Sequence, residues 1–182
     1  MTLTRYKWTC DRYHTAIAAG LFDDQPVELL KGDIVLMAPE REAHACHSSD
    51  SAEYLRQLLG SRASVREGKP VTLPNDSEPI PDIAIVEPPL RRYLDHHPYP
   101  VDIFWLIEYS NTTLTKDLGP KRQVYAEAKI QEYWVSDLKH QQLKIFRDLS
   151  KGHYQSEQTL TTGAISPLAF PEVAVDVRRL FS

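Results

Sequence analysis

The most apolar stretch of the chain is Val101-Asp102-Ile103-Phe104-Trp105-Leu106-Ile107-Glu108, and it predicts a central β-strand with apolar residues on both faces. The stretch ends on the carboxylate of Glu108, which is costly to remove from water unless a positive charge meets it. A second apolar run, Ile83-Ala84-Ile85-Val86, directly follows Asp82. If the two strands pair antiparallel, Asp82 and Glu108 lie at the same edge of the sheet.

Two carboxylates that converge on a partly dry site repel each other, and a divalent cation relieves the repulsion. Asp82 and Glu108 therefore predict a metal site that cleaves a phosphodiester bond. The alternative is that both are strand-end carboxylates that face water, which is the commoner position for an acid. The two residues are far apart in the sequence, so only the fold can bring them together.

The composition is that of a soluble globular protein of 182 residues, with 42% hydrophobic and 25% charged residues. The formal net charge of −4 counts against a strong non-specific binder of duplex DNA, which is usually basic. The net charge does not exclude DNA as a partner, because a bound metal compensates the charge of the acids around it. Local basic pairs such as Arg91-Arg92 and Lys121-Arg122 can also meet phosphates.

Two cysteines, Cys10 and Cys46, have no paired spacing, and the N-terminus shows no secretory segment. We therefore expect a reduced, cytoplasmic protein. No apolar run reaches the length of a membrane span, so no membrane association is expected.

The hydrophobic patterns predict a mixture of helices and strands without strict alternation. The fold class is therefore α/β (α+β) with a mixed sheet, and no linker divides the chain. Helices are expected at 9–19, at 43–59 and from 117–120 to 128, with Pro120 in the first turn of the last one. Strands are expected at 27–30, 34–37, 64–73, 82–86, 101–109, 132–136, 143–147 and 153–160, before a closing segment at 173–180.

Lys121 is the third candidate for the site, because it is expected in the first turn of the helix that follows the central strand. From there its ammonium can point back at the edge that carries Glu108. Such a group holds a scissile phosphate or lowers the pKa of an attacking water. Alternatively, Lys121 is a solvated helix residue paired with Asp117. Tyr125, one turn further, either packs or contacts substrate.

Two further residues have weaker support. Glu28, in the first predicted strand, is either an additional metal ligand, directly or through water, or an exposed strand residue. His44 opens the tetrapeptide His44-Ala45-Cys46-His47, which offers three zinc ligands at short spacing. A structural zinc site needs a second group of ligands, and the sequence shows none. We expect His44 to act as a single histidine near a phosphate or metal.

These residues lie within short segments whose order and spacing are specific together. The segments are Val27-Glu28-Leu29-Leu30-Lys31-Gly32-Asp33-Ile34, Met37-Ala38-Pro39 followed by His44, Glu78-Pro79-Ile80-Pro81-Asp82-Ile83-Ala84, Ile107-Glu108-Tyr109-Ser110, Asp117 with Lys121 and Tyr125, Ile130-Gln131-Glu132-Tyr133-Trp134-Val135, and Ser166-Pro167-Leu168-Ala169-Phe170-Pro171. Over nearly the whole chain they resemble the Uma-type family of restriction-endonuclease-like proteins, in the PD-(D/E)XK nuclease superfamily.

The resemblance implies one PD-(D/E)XK nuclease-like domain over 1–182, with a restriction-endonuclease-like mixed β-sheet core flanked by helices and additional antiparallel strands. It implies an endonuclease that acts on nucleic acid, expected to be DNA, as a homodimer. Mg²⁺, with Mn²⁺ as a substitute, would be bound by Asp82, Glu108 and the backbone carbonyl of Tyr109. Lys121 would orient or activate the water and steady the phosphate charge, and Glu28 and His44 would complete the site.

The chain departs from the pattern of the superfamily at Ser110, where a lysine usually stands two residues after the second acid. The family resemblance places that lysine in the following helix, at Lys121. Ala38 stands where the family often has serine, and Lys129 where it often has glycine. These two differences affect loop shape and leave the expected metal ligands intact.

Two other functions remain open from the sequence. One is a non-catalytic binding or assembly module on a nuclease-like scaffold, because folds outlast activities and an acidic chain suits a protein partner. The other is a metal phosphoesterase that acts on something smaller than a polynucleotide. No helix or ribbon for base readout is recognisable, so the sequence predicts no base specificity.

Overall fold

The structure is a computed structural model that describes residues 4–111 and 114–181. Its α-helices are α1 (Cys10–Ala18), α2 (Glu42–Leu59), α3 (Leu114–Lys116) and α4 (Arg122–Glu127), and a π-helical segment, Asp117–Lys121, joins the last two. The strands are β1 (Val27–Leu30), β2 (Asp33–Leu36), β3 (Ser64–Glu67), β4 (Ile83–Val86), β5 (Ile103–Ser110), β6 (Tyr133–Asp137), β7 (Gln142–Ser150), β8 (His153–Leu160), β9 (Ala164–Ile165) and β10 (Val175–Asp176). Short 3-10 turns occupy Gly60–Arg62, Leu90–Tyr93, Pro100–Asp102 and Val177–Leu180.

A six-stranded mixed sheet forms the centre of the molecule, in the order β3-β4-β5-β6-β7-β8. Strands β5 and β6 pair in parallel, and the other neighbouring strands of this sheet pair antiparallel. The hairpin β1-β2 and the pair β9-β10 are additional antiparallel elements. The predicted fold class, a mixed sheet core flanked by helices with further antiparallel strands, is confirmed.

Strand β5 lies inside the sheet, as the apolar stretch predicted. Its side chains alternate between two cores, because successive residues of a strand point to opposite faces. Trp105 and Ile107 pack in the core that includes α2, and Leu106 packs in the core that includes α4. The strand begins at Ile103, two residues later than predicted, because Pro100–Asp102 forms a 3-10 turn.

The first helix, the hairpin and the second helix lie where the sequence predicted them. Thr9 caps α1, and its side chain accepts a hydrogen bond from the backbone N–H of Arg12. Gly32, at a φ of 75°, occupies the turn between β1 and β2. On α2, Leu55 and Leu59 are buried against the sheet. The apolar stripe of that helix thus fixes the end that carries His44 beside β4 and β5.

Two further predicted boundaries were wrong. The strand expected at 64–73 ends at Glu67, because Gly68 has a φ of 54° and Pro70 has no N–H to donate to a ladder. Pro120 does not lie in a first helical turn: the helix has already begun at Leu114, and the proline sits inside the π-helical segment.

Cys10 and Cys46 are both free thiols, in agreement with their unpaired spacing. Within 4–111 and 114–181, no helix has the length and apolar character needed to cross a bilayer.

Candidate functional site

Asp82 and Glu108 meet at one edge of the central sheet. Strands β4 and β5 pair antiparallel with Ile83 opposite Ile107, so each acid lies one position beyond this pair. The Asp82 Oδ2 accepts a hydrogen bond of 2.6 Å from the backbone N–H of Tyr109. Both acids line a cleft with a volume of about 430 Å³. The antiparallel pairing expected from the sequence is confirmed, and it joins two acids from distant parts of the chain.

Glu108 is buried, and its Oε1 accepts hydrogen bonds from two side chains of the helical segment after β5. The Lys121 Nζ donates across 2.8 Å, and the Tyr125 hydroxyl donates across 2.6 Å. Lys121 also donates to the carbonyl oxygen of Ile80 at 3.3 Å. Because Lys121 is only 4% exposed, its alternative interpretation as a solvated helix residue is wrong. Tyr125 binds the acid directly as well as packing.

Four carboxylates act on the ammonium of Lys121, namely those of Glu108, Glu28, Asp117 and Asp82. Burial raises the pKa of Glu108 to about 8, although the Lys121 ammonium opposes the rise. Asp82, Asp117 and Glu28 push the same pKa further upward. Burial would lower the pKa of Lys121, but the four carboxylates outweigh it and raise that pKa. Carboxylates that raise one another's pKa in this way repel each other, and a divalent cation at the cleft would relieve the repulsion.

Glu28 is fully buried, so its alternative interpretation as an exposed strand residue is wrong. Its Oε2 accepts a hydrogen bond of 3.1 Å from the backbone N–H of Ile80 and lies 3.4 Å from the Lys121 Nζ. Its Oε1 forms an ion pair with Lys116. Burial would raise the pKa of Glu28, but Lys121 and Lys116 outweigh it and lower that pKa. Glu28 thus contacts the Lys121 ammonium and helps to fix its position.

His44 lies in the first turns of α2 and faces Asp82. Its Nε2 is 3.2 Å from the Asp82 Oδ2, and its Nδ1 is 3.1 Å from the Glu40 Oε1. The hydrogen bond with Asp82 raises the pKa of His44 to about 9, against the opposing effect of burial. Both ring nitrogens therefore carry protons at neutral pH, and each donates to a carboxylate. Cys46, another member of the tetrapeptide, is exposed.

Lys116 belongs to the site, although the sequence patterns did not single it out. It lines the cleft and pairs with Glu28, as Lys121 does. Hydrogen bonds in a π-helix join residues five apart, which brings Lys116 and Lys121 toward the same side of the segment. The signal in the sequence was Pro120, because a proline inside a helix cannot donate to the preceding turn.

Ser110 has no positive charge to supply to the site. Its side chain instead joins the helical segment to the sheet. Its hydroxyl donates a hydrogen bond of 2.5 Å to the Asp117 Oδ2. The Tyr133 hydroxyl, on β6, donates to the backbone carbonyl of Asp117 at 3.1 Å. These two contacts fix the start of the segment that presents Lys121 to Glu108.

The oxygen atoms of Asp82 and Glu108 suit a hard cation such as Mg²⁺. Within 4–111 and 114–181, no three histidine, cysteine, aspartate or glutamate side chains form a group that is arranged to hold a metal ion by itself. Mg²⁺ commonly uses only one or two carboxylates and takes its remaining ligands from water and substrate phosphate. The donor set therefore fits such an ion.

Comparisons with known proteins agree with this architecture. A family model described as "Putative restriction endonuclease" and named Uma2 matches residues 11–178. Among solved structures, the fold is similar to that of "a putative nuclease belonging to DUF820" from Anabaena variabilis ATCC 29413. The TM-score is 0.65 at 16% sequence identity, over 87% of this chain and 90% of the other. No curated protein matches the sequence.

Proposed function

The chain belongs to the Uma2 family of restriction-endonuclease-like proteins, and on this premise we propose that it is a metal-dependent endonuclease that hydrolyses phosphodiester bonds of DNA. The supporting observation is the meeting of Asp82 and Glu108 at one cleft, with the Lys121 ammonium against Glu108. The acids offer hard oxygen ligands, and the ammonium offers charge for a phosphate. If Lys121 and Glu108 formed only a structural ion pair, neither Asp82 nor an open cleft would be needed beside them.

We propose Mg²⁺ as the resident cation, with Mn²⁺ as a substitute. Asp82, Glu108 and the backbone carbonyl of Tyr109 would hold it, and these three residues are among those that line the cleft. When bound, such an ion polarises a phosphate and lowers the pKa of a water molecule. The mutual repulsion of the carboxylates at the cleft supports this assignment, because a divalent cation would relieve it.

Lys121 acts, in this proposal, on the phosphate and on the attacking water. Its ammonium is held by Glu108, by Glu28 and by the carbonyl oxygen of Ile80, so its position is fixed before substrate arrives. A charge that needs no reorganisation stabilises the developing negative charge of the transition state most effectively. Glu28 is a positioning residue, because it touches both lysines from the buried side.

His44 is the positioning residue for Asp82. Its imidazolium donates to the Asp82 Oδ2, and the backbone N–H of Tyr109 donates to the same oxygen. Two donors on one oxygen fix the orientation of the carboxylate. Glu40 in turn orients the ring.

The proposal also includes a homodimer in the cytoplasm. A two-fold arrangement places two such sites on the two strands of a duplex. Basic groups at the cleft, Arg41 and Lys116, supply local positive charge despite the acidic average of the chain.

Calorimetric titration with Mg²⁺ or Mn²⁺ tests the metal site independently of activity. The parent protein is expected to show saturable binding, and Asp82→Ala and Glu108→Gln are expected to bind at least about tenfold more weakly, because each removes an anionic ligand. Asp50→Asn, an exposed acid with an ion pair elsewhere, is the control. Equal binding by all four proteins would favour the non-catalytic module.

Digestion of a substrate panel tests the reaction. The panel contains duplex DNA, single-stranded DNA, RNA and a chromogenic small phosphodiester. We expect internal cleavage of DNA with Mg²⁺ and none after addition of a chelator. Hydrolysis of the small ester with all polymers intact would identify a phosphoesterase instead.

A further inference from the structure

A second cavity borders the proposed catalytic cleft and has a different chemistry. Its volume is about 670 Å³, within the usual range for small-molecule sites of about 300–1,000 Å³. Ile80 lines both cavities, so the two are adjacent. Aromatic and imidazole rings form much of the wall: Tyr13, His14, Phe22, Tyr93, His96 and Tyr99.

A buried carboxylate, Glu78, lies in the wall of this cavity and is only 3% exposed. Its Oε2 accepts a hydrogen bond of 2.7 Å from the Thr72 hydroxyl and lies 2.5 Å from the His14 Nε2. Its Oε1 lies 4.0 Å from the His97 Nε2, beyond hydrogen-bond distance. Backbone hydrogen bonds with Leu29 hold Glu78 in place. One oxygen is therefore tied to the protein, and the other remains able to accept a donor.

A stacked pair of rings provides a flat surface in the same cavity. The rings of His96 and Tyr99 lie with their centroids 4.9 Å apart at an interplanar angle of 17°. Tyr93 meets His96 edge to face, with centroids 5.9 Å apart. Tyr99 is 45% exposed, so part of the pair is open to solvent. Exposed aromatic faces are the surfaces on which unpaired bases stack.

We propose that this cavity, the base pocket, binds one unpaired nucleobase of the substrate strand. The base stacks on the Tyr99–His96 pair, and its exocyclic amino group donates to the Glu78 Oε1. Carboxylates accept hydrogen bonds from amino groups such as that of cytosine, and thymine has no such group. The inference rests on the proposed nuclease function, because it names a feature of the substrate of that site.

The distance to the catalytic cleft suits this assignment. Glu78 and Asp82 are four residues apart, which limits the distance between their Cα atoms to at most about 14 Å. Because each nucleotide of a strand advances about 3.4 Å along the axis of duplex DNA and further in an unpaired strand, that length covers at most about four nucleotides. One strand can therefore occupy the cleft and the base pocket together.

Fluorescence anisotropy with short single-stranded oligonucleotides tests the base pocket, on the full chain in the presence of a chelator. We expect oligo(dC) to bind about tenfold more tightly than oligo(dT). Glu78→Gln is expected to bring this ratio within about twofold, because the amide presents a donor as well as an acceptor. Tyr99→Ala is expected to weaken both oligonucleotides by about tenfold and leave the ratio unchanged.

Two variants serve as matched controls. Glu127→Gln alters a glutamate in a surface ion pair, and Leu168→Ala removes an exposed apolar side chain. Both are expected to bind like the parent. The proposal is overturned if folded Glu78→Gln keeps the parental ratio, or if Tyr99→Ala binds both oligonucleotides like the parent. If Glu78→Gln does not fold, Tyr99→Ala decides alone, since its ring is half exposed.

Cleavage of the substrate panel separates the two proposals. Glu78-dependent preference without cleavage of any polymer supports the base pocket and contradicts the nuclease. Cleavage of DNA, without any difference in affinity between oligo(dC) and oligo(dT), supports the nuclease and contradicts the base pocket.

Discussion

Replacement of Asp82 by alanine is expected to lower Mg²⁺-dependent cleavage of DNA by at least about 10³-fold. The change removes one of the two acids that meet at the cleft, and with it an anionic ligand of the proposed ion. The measurement is initial cleavage of a labelled duplex at saturating Mg²⁺, with the folded state checked by circular dichroism and thermal unfolding.

The fold is expected to survive this substitution. Asp82 lies just before β4, and its side chain is 23% exposed. Alanine leaves the backbone N–H of Tyr109 without its carboxylate acceptor, which costs about 1–3 kcal/mol. Asp82→Asn keeps an oxygen in place for that N–H and removes only the charge. It should therefore be more stable than Asp82→Ala and equally inactive.

A surface acid supplies the matched control. Asp50→Ala removes an exposed carboxylate that pairs with Arg179 across 3.4 Å, and such pairs contribute about 0–1 kcal/mol. This variant should cleave like the parent. Parental cleavage by Asp82→Ala or Asp82→Asn would show that the two acids do not form the catalytic centre.

The meeting of Asp82 and Glu108 could be predicted from the sequence because it follows from local patterns. One acid precedes an apolar run and the other lies near the end of the next, so antiparallel pairing necessarily brings them together. The class of the fold followed from the same reasoning. Alternating apolar positions identified the strands, and β5 was apolar enough on both faces to predict a place inside the sheet.

The buried ion pairs of Glu28 could not be predicted in the same way. The burial of Glu28 depends on Lys116 and Lys121, which lie far along the chain and reach it only through the π-helical segment. A single strand residue between apolar neighbours carries no sign of such compensation. Similarly, the contact of His14 with Glu78 joins residues 64 positions apart. Long-range pairs of this kind depend on how elements pack, which residue patterns do not encode.

The end of the strand predicted at 64–73 was also set by backbone chemistry that periodicity misses. Apolar residues recur beyond Glu67 at Val71 and Leu73, both of which are buried. The chain nevertheless leaves the sheet at Gly68, in a left-handed conformation. Val71 and Leu73 are therefore buried without belonging to β3. Apolar periodicity indicates that they are buried, but it does not indicate strand pairing.

Replacement of Lys121 by alanine is expected to reduce cleavage by at least about 10²-fold and also to destabilise the protein. The ammonium compensates Glu108 at 2.8 Å and Glu28 at 3.4 Å, and all three side chains are buried. Removing one partner of a buried pair costs about 3–5 kcal/mol, because the remaining charge is left uncompensated. Urea unfolding without divalent ions measures this loss.

A surface lysine provides the control for both effects. Lys31 pairs with Glu127 across 2.9 Å, and both side chains are partly exposed. Lys31→Ala is therefore expected to change the free energy of unfolding by about 1 kcal/mol or less and to leave cleavage unchanged. Parental cleavage by Lys121→Ala would exclude Lys121 from the reaction, whatever its effect on stability.

A double variant separates the structural role of Lys121 from its proposed catalytic role. Lys121→Met combined with Glu108→Gln removes both charges of the pair, and the glutamine oxygen can still accept a hydrogen bond from the Tyr125 hydroxyl. The double variant should therefore be more stable than Lys121→Met, as expected for residues in direct contact. If Lys121 only stabilises the fold, Lys121→Met should recover activity under stabilising conditions. If it acts on the phosphate, Lys121→Met stays inactive even when fully folded, because a methionine offers no charge to the transition state.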